Sequence, residues 1–472
     1  MLTRTESVIE YYRDEAVRTC MRQFVEGRPG QNGSAVFIST CGNGYLSAPR
    51  PEPPDRLPQF LERGSEVARS LWDRHDLIGH IDMEYVNPDF PAEPYLDTQR
   101  TFALQEPMLH AARYLLEYHG IDALHLLSGR GHHLVWRIRP GSRAYASLAA
   151  IGRLLPHLPS FYRSHTGPAG ETVGPELARA FMGLGMVMEY MGHVVQEHCA
   201  ADSPIPPTLT AVTVGKGVRG REEVSFDLSE YGDPLSTRMV RAPFSAYLKP
   251  WHKAGVVHGA IEADIPPLFF IPLPQGTTDL RSWIDIMHDS GACRELARRT
   301  ETYIPDGTTG MESLVDGYRA SKVAEFHEYF YSEQHHPSQE WPQTYDRFDP
   351  HVLPPCVSRI LTQPNDLLLR PAGIQLLVRS LLALNWHPRH IAGLIRSKYE
   401  RNHGWGPYWF TYDAASRADF YTRLFAGLVL TGRDRLVDFN CVSTREKGYC
   451  ISPPGPCSVN ALRETLLRRI PS

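Results

Sequence analysis

The run Ser128-Gly129-Arg130-Gly131-His132-His133, followed by Leu134-Val135-Trp136, limits what this chain can become more than any other stretch. Two glycines one residue apart, ahead of an apolar run, predict a tight hairpin. They permit positive φ and a close backbone approach, and the following strand delivers an imidazole beside the turn hydroxyl. Neighbouring strand residues face opposite sides, so only one of His132 and His133 can serve such a spot. Upstream, Leu77 to Val86 reads as a buried strand on which alternation points Asp82 and Glu84 to one face. Two acids on an apolar strand are costly to bury without a cation. Oxygen pairs of this kind hold Mg²⁺ or Mn²⁺ against phosphates. Phe226-Asp227-Leu228 adds a third carboxylate in strand-like surroundings. The plainer alternatives are a solvated acidic face and a glycine-rich hairpin whose histidines are core or surface residues.

A third cluster runs from Arg238 through Arg241, Pro243, Phe244, Ser245 and Tyr247 to Lys249. Arginine offers a planar fork to phosphates and lysine a point charge, while Phe244 and Tyr247 either stack on a base or pack inward. The plain alternative is a solvated basic loop. The formal charge of −4 excludes a uniformly basic nucleic-acid coat, so any such binding must come from local clusters.

Along the chain the pattern predicts a helix over Glu6 to Glu26 and a strand over Ser34 to Ser39. Helical spacing covers Leu57 to His75, Gln105 to Tyr118 with Gly120 as its stop, Tyr145 to Leu155 and Glu176 to His198. Short strands are expected at Ala123 to Leu127, His133 to Ile138 and Val224 to Leu228. Prolines between Pro266 and Gln275 mark a boundary or crossing loop, Met311 to Tyr331 reads as one amphipathic helix, and Ser332 to Pro350 as a linker. Beyond it, Pro371 to Leu384, Pro388 to Tyr399 and Ala414 to Leu430 are helical by period. The fold class is α+β, with a mixed sheet and helices first and a mainly α-helical region last. Its expected domains are 1–265, 266–350 and 351–472. No apolar run approaches the ~20 residues that span a bilayer, and Met1 to Arg22 has scattered charges, so a cytoplasmic protein without a membrane partner is expected.

The order of the three clusters is similar to that of the archaeo-eukaryotic primase superfamily, over roughly residues 75 to 255. Members carry an acidic pair on a strand, a Ser-x-His-type element and a third acid. The hairpin resembles the Ser-Gly-x-Gly-x-His form of that element, which places His133 at the family histidine. Arg-Ala-Pro-Phe-Ser-Ala-Tyr-Leu-Lys resembles the loop after the third acid in small-subunit primases, and Lys249 takes the phosphate-binding position by that match. Tyr247 stands where small-subunit primases often have histidine. The resemblance implies a primase-type catalytic domain. Asp82, Glu84 and Asp227 would bind Mg²⁺ or Mn²⁺, and Ser128, Arg130, His133, Arg241 and Lys249 the incoming nucleoside triphosphate.

Cys356, Cys441, Cys450 and Cys457 lie in the last region, one ahead of its helices and three clustered behind them. Four thiolates complete either a [4Fe–4S] cluster or a tetrahedral zinc. Pro-Pro-Cys, then helices carrying Arg370 and Arg379, then three cysteines, resembles the iron–sulfur domain of the primase large subunit. Cys20, Cys41, Cys199 and Cys293 have no such grouping. Aromatics from Trp386 to Tyr421, including Trp405, Tyr408, Trp409, Phe410 and Tyr412, are core by composition or, beside Arg396, Lys398 and Arg401, contacts for a single strand.

These expectations describe a DNA primase or primase-polymerase, with single-stranded DNA template, nucleoside triphosphates and helicase or replication proteins as partners. The rivals are a non-catalytic nucleic-acid-binding replication or defence accessory, and a metal-dependent nuclease using the same acids.

Overall fold

The computed structural model describes residues 4–29, 33–40, 51–212, 219–252, 265–274, 276–277, 279–362, 366–401, 413–450 and 459–469. Among the described residues nine strands occur in chain order: β1 (Ile38–Ser39), β2 (Ala68–Ser70), β3 (Leu77–Val86), β4 (Leu124–Leu127), β5 (Gly131–Ile138), β6 (Pro207–Leu209), β7 (Glu223–Asp227), β8 (Met239–Arg241) and β9 (Ile271–Leu273). With the many helices between them the protein is α+β. Its residues group into two compact units interleaved along the chain, whereas the expected domains are consecutive segments. One unit comprises Met1–Leu184, Asp202–Pro204 and Pro234–Val315, the other Gly185–Ala201, Ile205–Asp233 and Asp316–Ser472.

In the first unit β3, β5, β4 and β9 lie side by side, every pair antiparallel. The β3–β5 register sets Asp82 opposite His133 and Glu84 opposite Gly131. Along β3 burial alternates from Ile81 onward: Ile81, Met83 and Tyr85 are buried, while Asp82, Glu84 and Val86 are partly exposed. That is the period-2 arrangement expected from the sequence. Gly79 pairs with Trp136, whose ring would sit 2.3 Å from a Cβ at position 79, so the glycine makes room for a fully buried indole. A second small sheet orders β1, β2 and β8, all antiparallel.

Several elements differ from the pattern-based expectation. The helix over Glu6 to Glu26 is two, Arg4–Tyr12 and Glu15–Glu26, because the Asp14 carboxylate accepts from the N–H groups of Ala16 and Val17 and starts a new helix. Leu57 to His75 is helical only over Leu57–Glu62. Gly64 then takes φ +65 and the chain becomes β2, whose residues are buried on both faces and so carry no alternation. The proline-rich Pro266 to Gln275 contains β9, paired to β4 with Pro272 opposite Leu126. Within this unit β9 is last in the order, and proline is tolerated on such strands. Met311 to Tyr331 is two helices, Thr308–Arg319 and Lys322–Ser332, the second capped by the Ser321 hydroxyl accepting from Ala324 N–H.

In the second unit β6 and β7 pair in parallel. The helices Pro371–Ala383, Pro388–Tyr399 and Ala414–Leu430 match expectation to within a residue and form its core, burying Leu377, Ile391, Leu394, Leu424 and Phe425. Ionic groups share that core: Arg423 and Glu189 are both buried and paired, as are Arg389 and Asp419. Ser332 to Pro350 is short 3-10 turns with Trp341 and Tyr345 buried, so the polar stretch is ordered by two aromatic anchors. Among the described residues no helix is long and apolar enough to cross a membrane.

Candidate functional site

The hairpin joining β4 to β5 is closed by Ser128 N–H donating to the Gly131 carbonyl at 2.7 Å. Neither Gly129 nor Gly131 takes a positive φ, so the conformational part of the expectation is corrected. Close approach is what requires them. A Cβ on Gly131 would lie 1.9 Å from the Met83 carbonyl oxygen, and one on Gly129 2.7 Å from the Tyr247 ring. The turn is thereby pressed against β3, and the Arg130 carbonyl accepts from Tyr85 N–H (3.1 Å) and from the Gln105 side-chain amide (3.2 Å).

This packing brings the first-unit residues together. The Arg130 guanidinium is ion-paired with the Glu84 carboxylate. Burial works against that guanidinium's charge, but Glu84, then Tyr247, Tyr95 and Asp82, hold its pKa above the ordinary arginine value. His133 Nε2 lies 3.8 Å from Asp82 Oδ1, and its Nδ1 is 2.7 Å from Nε2 of His80. Burial, followed by the charges of His80, Arg241, His132 and Lys249, drives the His133 pKa well below the usual histidine range. It is a neutral donor–acceptor at pH 7. The same influence places Arg241 and Lys249 within electrostatic reach of His133. Ser128 is buried at the hairpin's start, its Oγ accepting from Arg130 N–H at 3.4 Å. His132 faces the other way, its ring edge-on to Phe102 at 5.1 Å and its Nδ1 3.0 Å from His125 Nε2.

The loop from Arg241 to Lys249 is pinned at nearly every residue. Phe244, at φ +62, donates its N–H to the Phe270 carbonyl (2.6 Å), and Phe270 N–H returns to the Ser245 carbonyl (2.9 Å). Tyr247 N–H reaches the Leu268 carbonyl at 2.8 Å. Phe244 and Tyr247 both pack inward: Phe244 is wholly buried, and the Tyr247 ring floors the hairpin with the Arg241 guanidinium 4.9 Å above it. Glu66 was invisible to sequence reasoning, since nothing local marks it. Its buried carboxylate pairs with Arg241 Nε and accepts from Leu248 N–H at 2.8 Å, fixing both ends of the loop and so the position of Lys249. His80 was also missed, although it falls in the same period-2 series as Asp82 and Glu84.

Asp227 belongs to the second unit. It ends β7, and its Oδ1 accepts from Ser229 N–H (2.8 Å) and the Thr210 hydroxyl (3.4 Å). Of the cysteines, Cys356 is buried in the helix Pro355–Thr362, Cys441 opens the helix Cys441–Glu446, and Cys450 donates its N–H to the Thr444 carbonyl. The Cys356 thiol is pushed up to about 12, first by burial and then by Cys450 and Cys441. Cys356 thus lies within electrostatic range of both. Cys457, Cys41, Trp405, Tyr408, Trp409, Phe410 and Tyr412 lie outside the described residues. Arg379 is buried between Asp434 (2.7 and 2.8 Å) and Asp438 (3.0 Å).

Among the described residues no three His, Cys, Asp or Glu side chains, Cys356, Cys441 and Cys450 included, form a group that could hold a metal ion. A hard divalent cation that keeps waters and phosphate oxygens needs only one or two carboxylates, and Asp82 with Glu84 supplies two, both partly exposed on one strand face. By donor type this pair would suit a hard divalent cation, and Glu84 is engaged by Arg130. For iron–sulfur or zinc the three described thiols are the right chemistry. No family model, no curated protein and no solved structure matches this chain.

Proposed function

We propose that this protein is a template-directed nucleotidyl transferase, a primase or primase-polymerase, acting on nucleoside triphosphates along a single-stranded DNA template. One observation carries the reading: two partly exposed carboxylates, Asp82 and Glu84, share a sheet face with His133 and lie against the Ser128–Gly131 hairpin, with Arg130 paired to Glu84 and with Arg241 and Lys249 in electrostatic reach of His133. Acids for cations and basic or neutral donors for phosphate oxygens are what such a reaction requires side by side.

In the reaction the 3′-hydroxyl oxygen of a primer or first nucleotide attacks the α-phosphorus in line. The new P–O bond forms as the bond to the β-phosphate breaks, diphosphate leaves, and the hydroxyl proton passes to solvent. Bound Mg²⁺ or Mn²⁺ lowers the charge on the triphosphate and on the attacking oxygen. Asp82 and Glu84 hold that charge in place, and Arg130 and Lys249 offer positive charge to the phosphates. Neutral His133 donates one hydrogen bond, and Ser128 another. Asp227 enters as the third acid on its sequence order alone. Cys356, Cys441, Cys450 and Cys457 are proposed to hold a [4Fe–4S] cluster or zinc, supported by the influence of Cys450 and Cys441 on Cys356. Helicase or replication proteins are the partners this activity calls for.

A second reading, a non-catalytic nucleic-acid-binding accessory, draws on the Glu84–Arg130 ion pair, which satisfies a carboxylate without any metal. One experiment separates the readings. Purified protein is given a single-stranded template, labelled nucleotides and Mg²⁺ or Mn²⁺. Metal-dependent product growth that disappears in Asp82→Ala supports the transferase, whereas binding without growth supports the accessory. Shortened substrate identifies a nuclease.

A further inference from the structure

Resting on the transferase reading for what His133 faces, we propose that His80 is a positioning residue that holds His133 as the tautomer protonated on Nε2, so that this nitrogen presents a donor beside Asp82. His80 lies two residues before Asp82 on β3 and on the same face. The two rings meet edge to edge and nearly coplanar, with centroids 5.0 Å apart and planes inclined by 9°, and His80 Nε2 is 2.7 Å from His133 Nδ1. Both rings are buried, so water does not replace either partner.

A neutral imidazole carries one N–H and one bare nitrogen. At 2.7 Å the contact works only if one nitrogen donates and the other accepts, since two lone pairs would repel and two hydrogens would clash. The opposite edge of His133 decides which. There Nε2 looks toward the Asp82 carboxylate, 3.8 Å away, and a carboxylate only accepts, as does a phosphate oxygen. His133 Nε2 must therefore carry the hydrogen, its Nδ1 is bare, and His80 Nε2 is the donor. Phe270, 5.4 Å from the His133 ring, and the cross-strand pairing of His133 with Asp82 and Leu126 keep the ring from turning over. Without a donor at position 80, the bare Nδ1 would be buried unpaired. The competing tautomer would then turn a lone pair toward the anion.

The test uses the full chain labelled with ¹⁵N-histidine. Long-range ¹⁵N–¹H correlation at neutral pH reports which ring nitrogens of His133 carry hydrogen, the signal being assigned by its loss in His133→Gln. Binding of ATP with Mg²⁺ is measured in parallel. The wild-type spectrum is expected to show Nε2–H with bare Nδ1. His80→Gln, which keeps an N–H donor at the same distance from the backbone, retains that pattern; His80→Leu mixes the tautomers and weakens ATP binding about tenfold, a loss that His80→Gln largely restores. Hydrogen on Nδ1 or on both nitrogens in the wild type overturns the assignment, as does a wild-type pattern in His80→Leu. Should His80→Leu not fold, the wild-type and His80→Gln spectra decide the matter. If the wild type shows the expected tautomer yet binds no ATP, the transferase reading falls and the role of His80 stands.

Discussion

Arg130, at the tip of the hairpin between β4 and β5, is ion-paired with Glu84 of β3, whose neighbour on the same strand face is Asp82. On the proposed reading a divalent cation would have to compete with this guanidinium for the Glu84 carboxylate. Replacing Arg130 with Met is expected to tighten binding of Mn²⁺ alone by about tenfold, the equivalent of ~1.4 kcal/mol. The same change weakens binding of the triphosphate, which loses a fork to its oxygens. Manganese titration followed by electron paramagnetic resonance measures the first effect. Unchanged Mn²⁺ affinity would remove Glu84 from the cation's ligands.

Gly131→Ala and Gly129→Ala separate two kinds of obstacle. At 131 the new methyl meets a strand carbonyl oxygen at 1.9 Å, and at 129 it meets an aromatic ring at 2.7 Å. A backbone carbonyl cannot yield without disturbing the β3–β5 ladder, so the first change is expected to destabilise by more than the ~1–3 kcal/mol typical of overpacking and the second by an amount within that range. Thermal unfolding of both variants orders them. The reverse order would mean that the hairpin does not rest on β3 as described.

Arg423 engages Glu189 through Nε at 3.0 Å and through a terminal nitrogen, while His327 Nε2 approaches the other carboxylate oxygen at 2.9 Å. Arg423→Met leaves the buried carboxylate without its main partner and is expected to cost about 3–5 kcal/mol. The double change Arg423→Met with Glu189→Leu should recover most of that, because no charge then remains to be compensated. Urea denaturation of the three proteins tests the coupling. A single variant as stable as the parent would contradict it.

The same cluster makes stability fall in acid. Burial alone would raise the Glu189 carboxyl, but Arg423 and His327 more than offset it and hold the group at about 2, against an ordinary 4.5. Between those values the unfolded chain binds the extra proton, so this contribution is complete above pH 4.5 and is lost as pH falls toward 2. His327, depressed by burial below its ordinary 6.5, adds a loss that begins as pH drops through that value. Stability measured against pH in Glu189→Gln should be flatter over the lower window. An unaltered profile would place the acid sensitivity elsewhere.

Cys356 is a buried thiol under the influence of two others, and binding a soft cation requires all of them as thiolates. Iron and zinc analysis of anaerobically purified protein is expected to find one or the other. About four irons per chain with broad visible absorbance would identify the cluster. Cys356→Ser should abolish that signal, and an unchanged spectrum would remove Cys356 from the ligand set.

Strand β3, the hairpin and the helices Pro388–Tyr399 and Ala414–Leu430 were legible because each rests on a local period or a local stop. The shared face of Asp82 and Glu84 needed nothing beyond alternation. β2 and β9 were misread for complementary reasons. One is buried on both sides and shows no alternation, while the other contains a proline that only its place in the strand order makes acceptable.

Residue types and their spacing along single elements were therefore enough to put Asp82 and Glu84 on one strand face and to mark the turn, while the choice of His133 over His132 came from the family resemblance. They did not say who pairs with whom. Glu66 meets Arg241 and Leu248, His80 meets His133, and Glu189 meets Arg423 across long separations in the chain. Periodicity says which way a side chain points from its own strand or helix. Strand register and the packing of distant segments settle what stands opposite it, and these depend on the energy of the whole fold.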